Sequence, residues 1–129
     1  MSNKTIIAAM LVIAAFTAPA SAMSRHDREW VSHAKGLIAA SIQQNGGTPS
    51  IVRRCFPQYG KCETEAYAMF GGIMSTMITA EDTYGKTVGR YVCHYNETAD
   101  VKRCTDYDRG SVSITMKGQD GLWYPVANK

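Results

Sequence analysis

The chain has 129 residues, with 14 Lys and Arg against 11 Asp and Glu and a formal net charge of +3. That length suits one small domain. The charge is too mild for a nucleic-acid face, which needs a clearly basic patch, or for attraction to an anionic membrane surface.

Residues 1–22 have the layout of a secretory signal peptide. Lys4 gives a short positive start, residues 6–16 form an apolar run, and Ala20-Ser21-Ala22 is a small-residue cleavage site. The run is too short to span a bilayer, and no later stretch is long and apolar enough to do so. Cleavage behind Ala22 leaves residues 23–129, with 13 basic and 11 acidic side chains, as a single domain. No cysteine follows the site, so a lipid anchor is not expected. The short start and small-residue site have the bacterial form. They place the product in the periplasm or outside the cell.

Ser24 can cap a helix, with Asp27 as its acidic partner three residues on. Trp30, Ala34, Leu37, Ile38 and Ile42 then form one apolar stripe of roughly five helical turns, which Asn45-Gly46-Gly47 stops. Residues 51–62 read as a loop, with Pro57 and Gly60 as breakers and Cys55 and Cys62 at its ends. Residues 63–79 are ambiguous. Ala66, Phe70, Ile73 and Met77 fit a helix stripe, but Gly71-Gly72 and the following Ser and Thr residues weaken it. A strand over 73–79, with 80–86 as its turn, is the preferred reading.

Beyond residue 87 the pattern is clearer. Residues 88–95 and 101–107 read as a hairpin with its turn centred between Thr98 and Ala99. In that register Cys93 faces Cys104, Tyr91 faces Asp106, Val92 faces Thr105 and His94 faces Arg103. Residues 111–116 and 122–126 give a second hairpin. Val112, Ile114 and Met116 share a face with Leu122, Tyr124 and Val126, which is the expected half-buried side. Pro125 lacks an N–H to donate, so the last strand belongs at an edge.

Four cysteines in a short exported chain read as two disulfides, for which three pairings exist. The opposed Cys93 and Cys104 favour the local set, Cys55–Cys62 and Cys93–Cys104.

Catalytic signatures are scarce. There is no Gly-x-Ser-x-Gly elbow, His-Glu-x-x-His helix or phosphate-cradling glycine loop. His26, Glu29 and His33 lie on one helix face and could hold a divalent ion, although a solvated polar face is the expected reading. Met69, Met74 and Met77 could attract Cu(I), but core packing suits them better. Asp106, Asp108 and Asp120 lack EF-hand spacing, and turn formation explains Asp108 and Asp120. Asn96-Glu97-Thr98 matches a glycosylation acceptor and matters only in a eukaryotic host. His94, facing Arg103, is not expected to be a catalytic base.

These readings together predict an α+β fold, an N-terminal helix packed on an antiparallel meander of about four strands with two disulfides. The expected function is that of an exported binding module acting through a rigid sheet surface on another protein or an envelope component. It needs no cofactor, nucleic acid or membrane span. Exposed Arg, Tyr and Trp favour contact surfaces, so Arg90, Tyr91, Tyr95, Arg103, Tyr107 and Trp123 are the candidate binding residues. Arg90, Arg103 and Tyr107 gather on one face of the first hairpin. Tyr91 and Tyr95 share the disulfide face, and Trp123 points away from the expected core. The alternatives are a small hydrolase drawing on Asp106, Asp108, His94 or Glu97, and a metal-handling protein using His26, Glu29 and His33.

Overall fold

A computed structural model describes residues 23–96 and 98–126. The expected signal segment 1–22 with its cleavage site, Glu97 and residues 127–129 lie outside these. Helix α1 (Arg25–Gln44) leads into β1 (Ile51–Phe56), β2 (Lys61–Phe70), β3 (Ile73–Asp82) and β4 (Thr87–Tyr95). β5 (Val101–Asp106), β6 (Val112–Lys117) and β7 (Trp123–Pro125) follow. The strands form one sheet in sequence order, each antiparallel to the next. Among the described residues, the α+β class, one N-terminal helix and the two disulfides agree with the sequence reading. The sheet has seven strands rather than about four.

The additional strands come from residues 51–70. The expected loop over 51–62 is a hairpin. β1 and β2 pair from Ile51↔Ala66 to Phe56↔Lys61, and a short 3-10 turn at Pro57–Tyr59 joins them. Pro57 and Gly60 break only this turn, and Gly60 takes the left-handed conformation that closes it. Residues 61–70 are a strand, with no helix in the 63–79 region. Gly71 and Gly72 both have positive φ, 56° and 82°, and link Phe70 directly to its partner Ile73. A two-residue turn with both φ positive matches the right-handed twist of flanking strands, so the glycine pair makes a tight hairpin. β3 then runs to Asp82, and the turn expected from residue 80 begins only after it.

Helix α1 begins where Ser24 Oγ accepts from the Asp27 N–H at 3.1 Å. It closes with Asn45 N–H donating to Ser41 O and Gly47 N–H to Ile42 O, both at 2.9 Å. Its apolar stripe is buried at Trp30, Val31, Ala34, Leu37 and Ile38. Opposite lie Ala66, Ala68 and Met77, and the two small alanines let the helix approach β2 closely. The Gln44 side chain caps this contact, donating to Met69 O at 2.6 Å and accepting from Met69 N–H at 2.8 Å.

The helix lies mainly over β2 and the near side of β3. Residues 76–80 of β3 are nonetheless all buried, so this strand is covered on both faces. The second cover is the sheet itself, which curls. Tyr95 of β4 reaches across to donate to Glu65 of β2 at 3.4 Å, and its ring lies 6.0 Å from that of Trp123 on β7.

Four chain reversals share one device. An Asx side chain accepts backbone N–H groups ahead of it: Asp82 from Tyr84 and Lys86, Asn96 from Asp100, Asp106 from Asp108 and Arg109, and Asp120 from Leu122. Asx side chains favour turns for this reason. The expected register of β4 with β5 is observed at every named pair. In the last hairpin Met116 does face Tyr124, but the side they share is open. Met116, Leu122, Tyr124 and Val126 are exposed, and the more covered residue of β7 is Trp123. This reverses the expected sidedness. The helix does not extend over these strands, whereas the curl closes over Trp123. β7 is an edge strand, as Pro125 requires.

The disulfides are Cys55–Cys62 and Cys93–Cys104, each joining directly opposed residues. Cys93 is fully buried in the middle of the sheet, whereas Cys55 lies on the edge strand β1. Replacing Cys93 and Cys104 by Ser should cost about 2–4 kcal/mol in denaturant unfolding. Removing Cys55 and Cys62 should cost less, since its ring spans 7 residues of separation against 11.

Candidate functional site

The six candidate binding residues divide between the two faces of the sheet. Arg90, Arg103 and Tyr107 belong to the helix side, and Tyr91, Tyr95 and Trp123 to the concave side. Only part of this set is available to a partner.

Arg90 is held inside the fold. Its guanidinium pairs with Asp27 of α1 at 2.9 Å and with Asp108 of the β5–β6 turn. It also sits over the rings of Tyr107, at 5.2 Å, and Trp30, at 5.6 Å. His26 stacks on Tyr107 at 4.1 Å and contacts Asp108 at 3.1 Å, while the Tyr107 hydroxyl donates to His26 O at 2.8 Å. Two carboxylates and two aromatic faces around one guanidinium suit its flat, delocalised charge. The cluster joins the start of α1 to the far half of the sheet. Hydrogen bonds from Arg90 hold both carboxyls below the usual carboxylate range.

The concave side is also internally bonded. Lys102 lies over both Trp123, at 5.2 Å, and Tyr95, at 5.8 Å. Burial pushes the Tyr95 hydroxyl up to about 12, and the neighbouring Glu65 carboxylate adds to it. Burial likewise raises Glu65. Tyr91 is half-buried and folds back over Gly89, where a Cβ would stand 2.7 Å from its hydroxyl.

The open feature is a groove of about 600 Å³ between α1 and the sheet. It exists because α1 covers β2 and leaves β4 bare on the same side. Ser32, His33, Gly36 and Leu37 form its helix wall. Phe70, Met77, Val92 and Tyr107 line its sheet side, and Ser75 and His94 stand side by side within it. Ser75 Oγ lies 3.2 Å from His94 Nδ1. Gly36 is the one glycine in α1, and a Cβ built there would meet no atom within 4 Å. The missing side chain therefore widens the groove. Arg103 is paired with His94 across the β4–β5 ladder and flanks this end.

Sequence reasoning treated His33 and His94 separately and did not consider Ser75, Gly36 or Phe70 as site residues. The helix wall and the sheet floor meet only after folding. The one local signal was Gly36, an expensive residue in a helix interior.

Other candidate sets are dispersed. His26 is engaged with Asp108 and Glu29 with Arg25, while His33 faces the groove. Among the described residues no group of three His, Cys, Asp or Glu side chains could hold a metal ion. Met69 and Met74 pair on the concave side, whereas Met77 is buried under the helix on the other. Asp106, Asp108 and Asp120 are occupied in the turns and the Arg90 cluster. A serine beside a histidine is the start of a nucleophile–base pair. No carboxylate orients His94 among the described residues, and a hydrolytic site also needs that third group.

No protein-family model, curated protein or solved structure matches this chain. The functional reading therefore rests on geometry. Among the described residues no helix is long and apolar enough to cross a membrane.

The Arg90 cluster makes a direct prediction. Arg90→Met should destabilise the protein by about 1–2 kcal/mol at neutral pH, since two partly exposed carboxylates lose their counter-charge. Depressed carboxyl pKa values add stability above the unfolded carboxyl pKa and lose it as pH falls through the folded values. The wild-type advantage in melting temperature should therefore shrink below about pH 4.

Proposed function

We propose that the chain is a small exported binding module whose recognition surface is the helix-side groove and the sheet face beside it. The observation that carries this reading is the groove itself. Its volume of about 600 Å³ falls within the roughly 300–1,000 Å³ of small-ligand sites, and it combines apolar walls with a few polar groups. Of the sequence candidates, Tyr107 lines this surface and Arg103 borders it. Export is supported by the signal-like segment in the sequence and by two disulfides, which persist in oxidising compartments. The exposed apolar residues Met116, Leu122 and Tyr124 extend the same side toward β7 and would meet an envelope component or partner protein there.

Hydrolysis is the weaker reading, because Ser75 and His94 have no orienting carboxylate among the described residues.

Gly36 offers a test that leaves the fold intact. Gly36→Ala should stabilise α1 by about 0.5–1 kcal/mol, the usual gain for replacing a helix-interior glycine. Gly36→Leu should keep the native circular dichroism and fill the groove. A neutral apolar dye, Nile red, should fluoresce strongly with the wild type and weakly with Gly36→Leu. Equal dye binding by a folded Gly36→Leu protein would remove the groove from consideration.

A further inference from the structure

The groove mixes two chemistries. Leu37 on the helix and Phe70, Met77 and Val92 on the sheet are apolar. Ser75 and His94 lie two residues along their strands from Met77 and Val92, with Arg103 beside His94 across the ladder. His33 adds a second imidazole to the helix wall. Among the described residues no acidic side chain lines the groove.

Among the described residues the acids elsewhere on this side are ion-paired. Asp27 and Asp108 are bound by Arg90, Glu29 by Arg25, and Glu81 by Arg53. Arg103, in contrast, has no hydrogen bond or ion pair among the described residues. Its guanidinium presents a planar fork of donors, the arrangement that matches a carboxylate. When Ser75 donates to His94 Nδ1, the imidazole carries its proton on Nε2, a second donor for the same anion.

We propose that this groove binds a fatty-acid-like ligand, its aliphatic chain against Leu37, Met77 and Val92 and its carboxylate at His94 and Arg103. The proposal rests on the reading of the groove as the recognition surface and adds the ligand's chemical class. Two features support it independently. Gly36 leaves open space on the helix wall of the groove, where a Cβ would meet no atom within 4 Å. Among the described residues, the Arg103 side chain beside His94 has no ion pair.

The test uses three probes with the same chain: dodecanoate, dodecanol and dodecyltrimethylammonium. Each is titrated below its micelle concentration into the protein lacking residues 1–22, with displacement of Nile red and calorimetry as readouts. Dodecanoate should bind about tenfold more tightly than dodecanol, the value of one charge-assisted hydrogen bond. Dodecyltrimethylammonium should bind weakest. Arg103→Gln should weaken dodecanoate by up to about tenfold, toward the affinity of dodecanol, His94→Gln should weaken it by a smaller factor, and both should leave dodecanol unchanged. Gly36→Leu should abolish binding of all three.

Equal affinity for dodecanoate and dodecanol, with both lost in Gly36→Leu, would overturn the carboxylate assignment and leave the groove as an apolar site. Binding that survives in a folded Gly36→Leu protein, or no binding of any probe, would overturn the groove reading as well. Tighter binding of dodecyltrimethylammonium than of dodecanoate would reverse the inferred charge preference and overturn the proposal.

Discussion

Among the described residues one helix has to cover a sheet of seven strands, and it is too narrow to do so. A helix with its side chains is about 10 Å across, whereas seven strands at about 4.8 Å spacing span some 30 Å. The helix settles where the sheet offers the smallest side chains, on Ala66 and Ala68 of β2. Everything beyond β3 on that side lacks a helical cover. The chain meets this shortage in two ways. It curls the sheet, so that Tyr95, Glu65, Lys102 and Trp123 fill the concave side, and it leaves the helix-side face of β4 as the floor of a groove.

An incompletely covered sheet must still hold its register. Local chemistry supplies much of that. Asx side chains at Asp82, Asn96, Asp106 and Asp120 fix the reversals, and each disulfide joins residues already opposed in the ladder. The Arg90 cluster adds a tie of another kind. It bonds Asp27 at the start of the helix to Asp108 beyond β5, bridging elements 81 residues apart in sequence. The helix is thereby anchored at its start by charge and at its end by Gln44 on the Met69 backbone. Between these anchors its groove-facing wall carries Gly36, and no packing demand there calls for a side chain.

The same economy gives the two faces different roles. Aromatic and basic residues look alike in a sequence, but those on the concave side are engaged with one another. Tyr95 bonds Glu65, and Lys102 lies between Tyr95 and Trp123. On the helix side Arg90 is saturated, whereas the Arg103 side chain, two pairs along the β4–β5 ladder from Val92↔Thr105, has no ion pair among the described residues. Availability for binding is decided by what the curl and the helix have already used.

Where local rules sufficed, the sequence by itself determined the structure. Ser24 and the Asn45-Gly46-Gly47 stop bound the helix, because capping needs only neighbouring backbone groups. The Cys93–Cys104 register followed from turn placement and period-two alternation, and Pro125 required an edge. β1 was obscured because Pro57 and Gly60 read as breakers of the whole 51–62 stretch, and β2 because Ala66 and Ala68 favour helix and Gly71-Gly72 serves equally as a helix breaker or a two-residue turn. Only pairing with β3 distinguishes the two. The tertiary structure alone decided which face of β7 is covered, that Arg90 is consumed internally, and that His33, Gly36, Ser75 and His94 share one groove. Each depends on where a single narrow helix lands on a wide sheet, a packing choice carried by contacts between residues far apart in the chain.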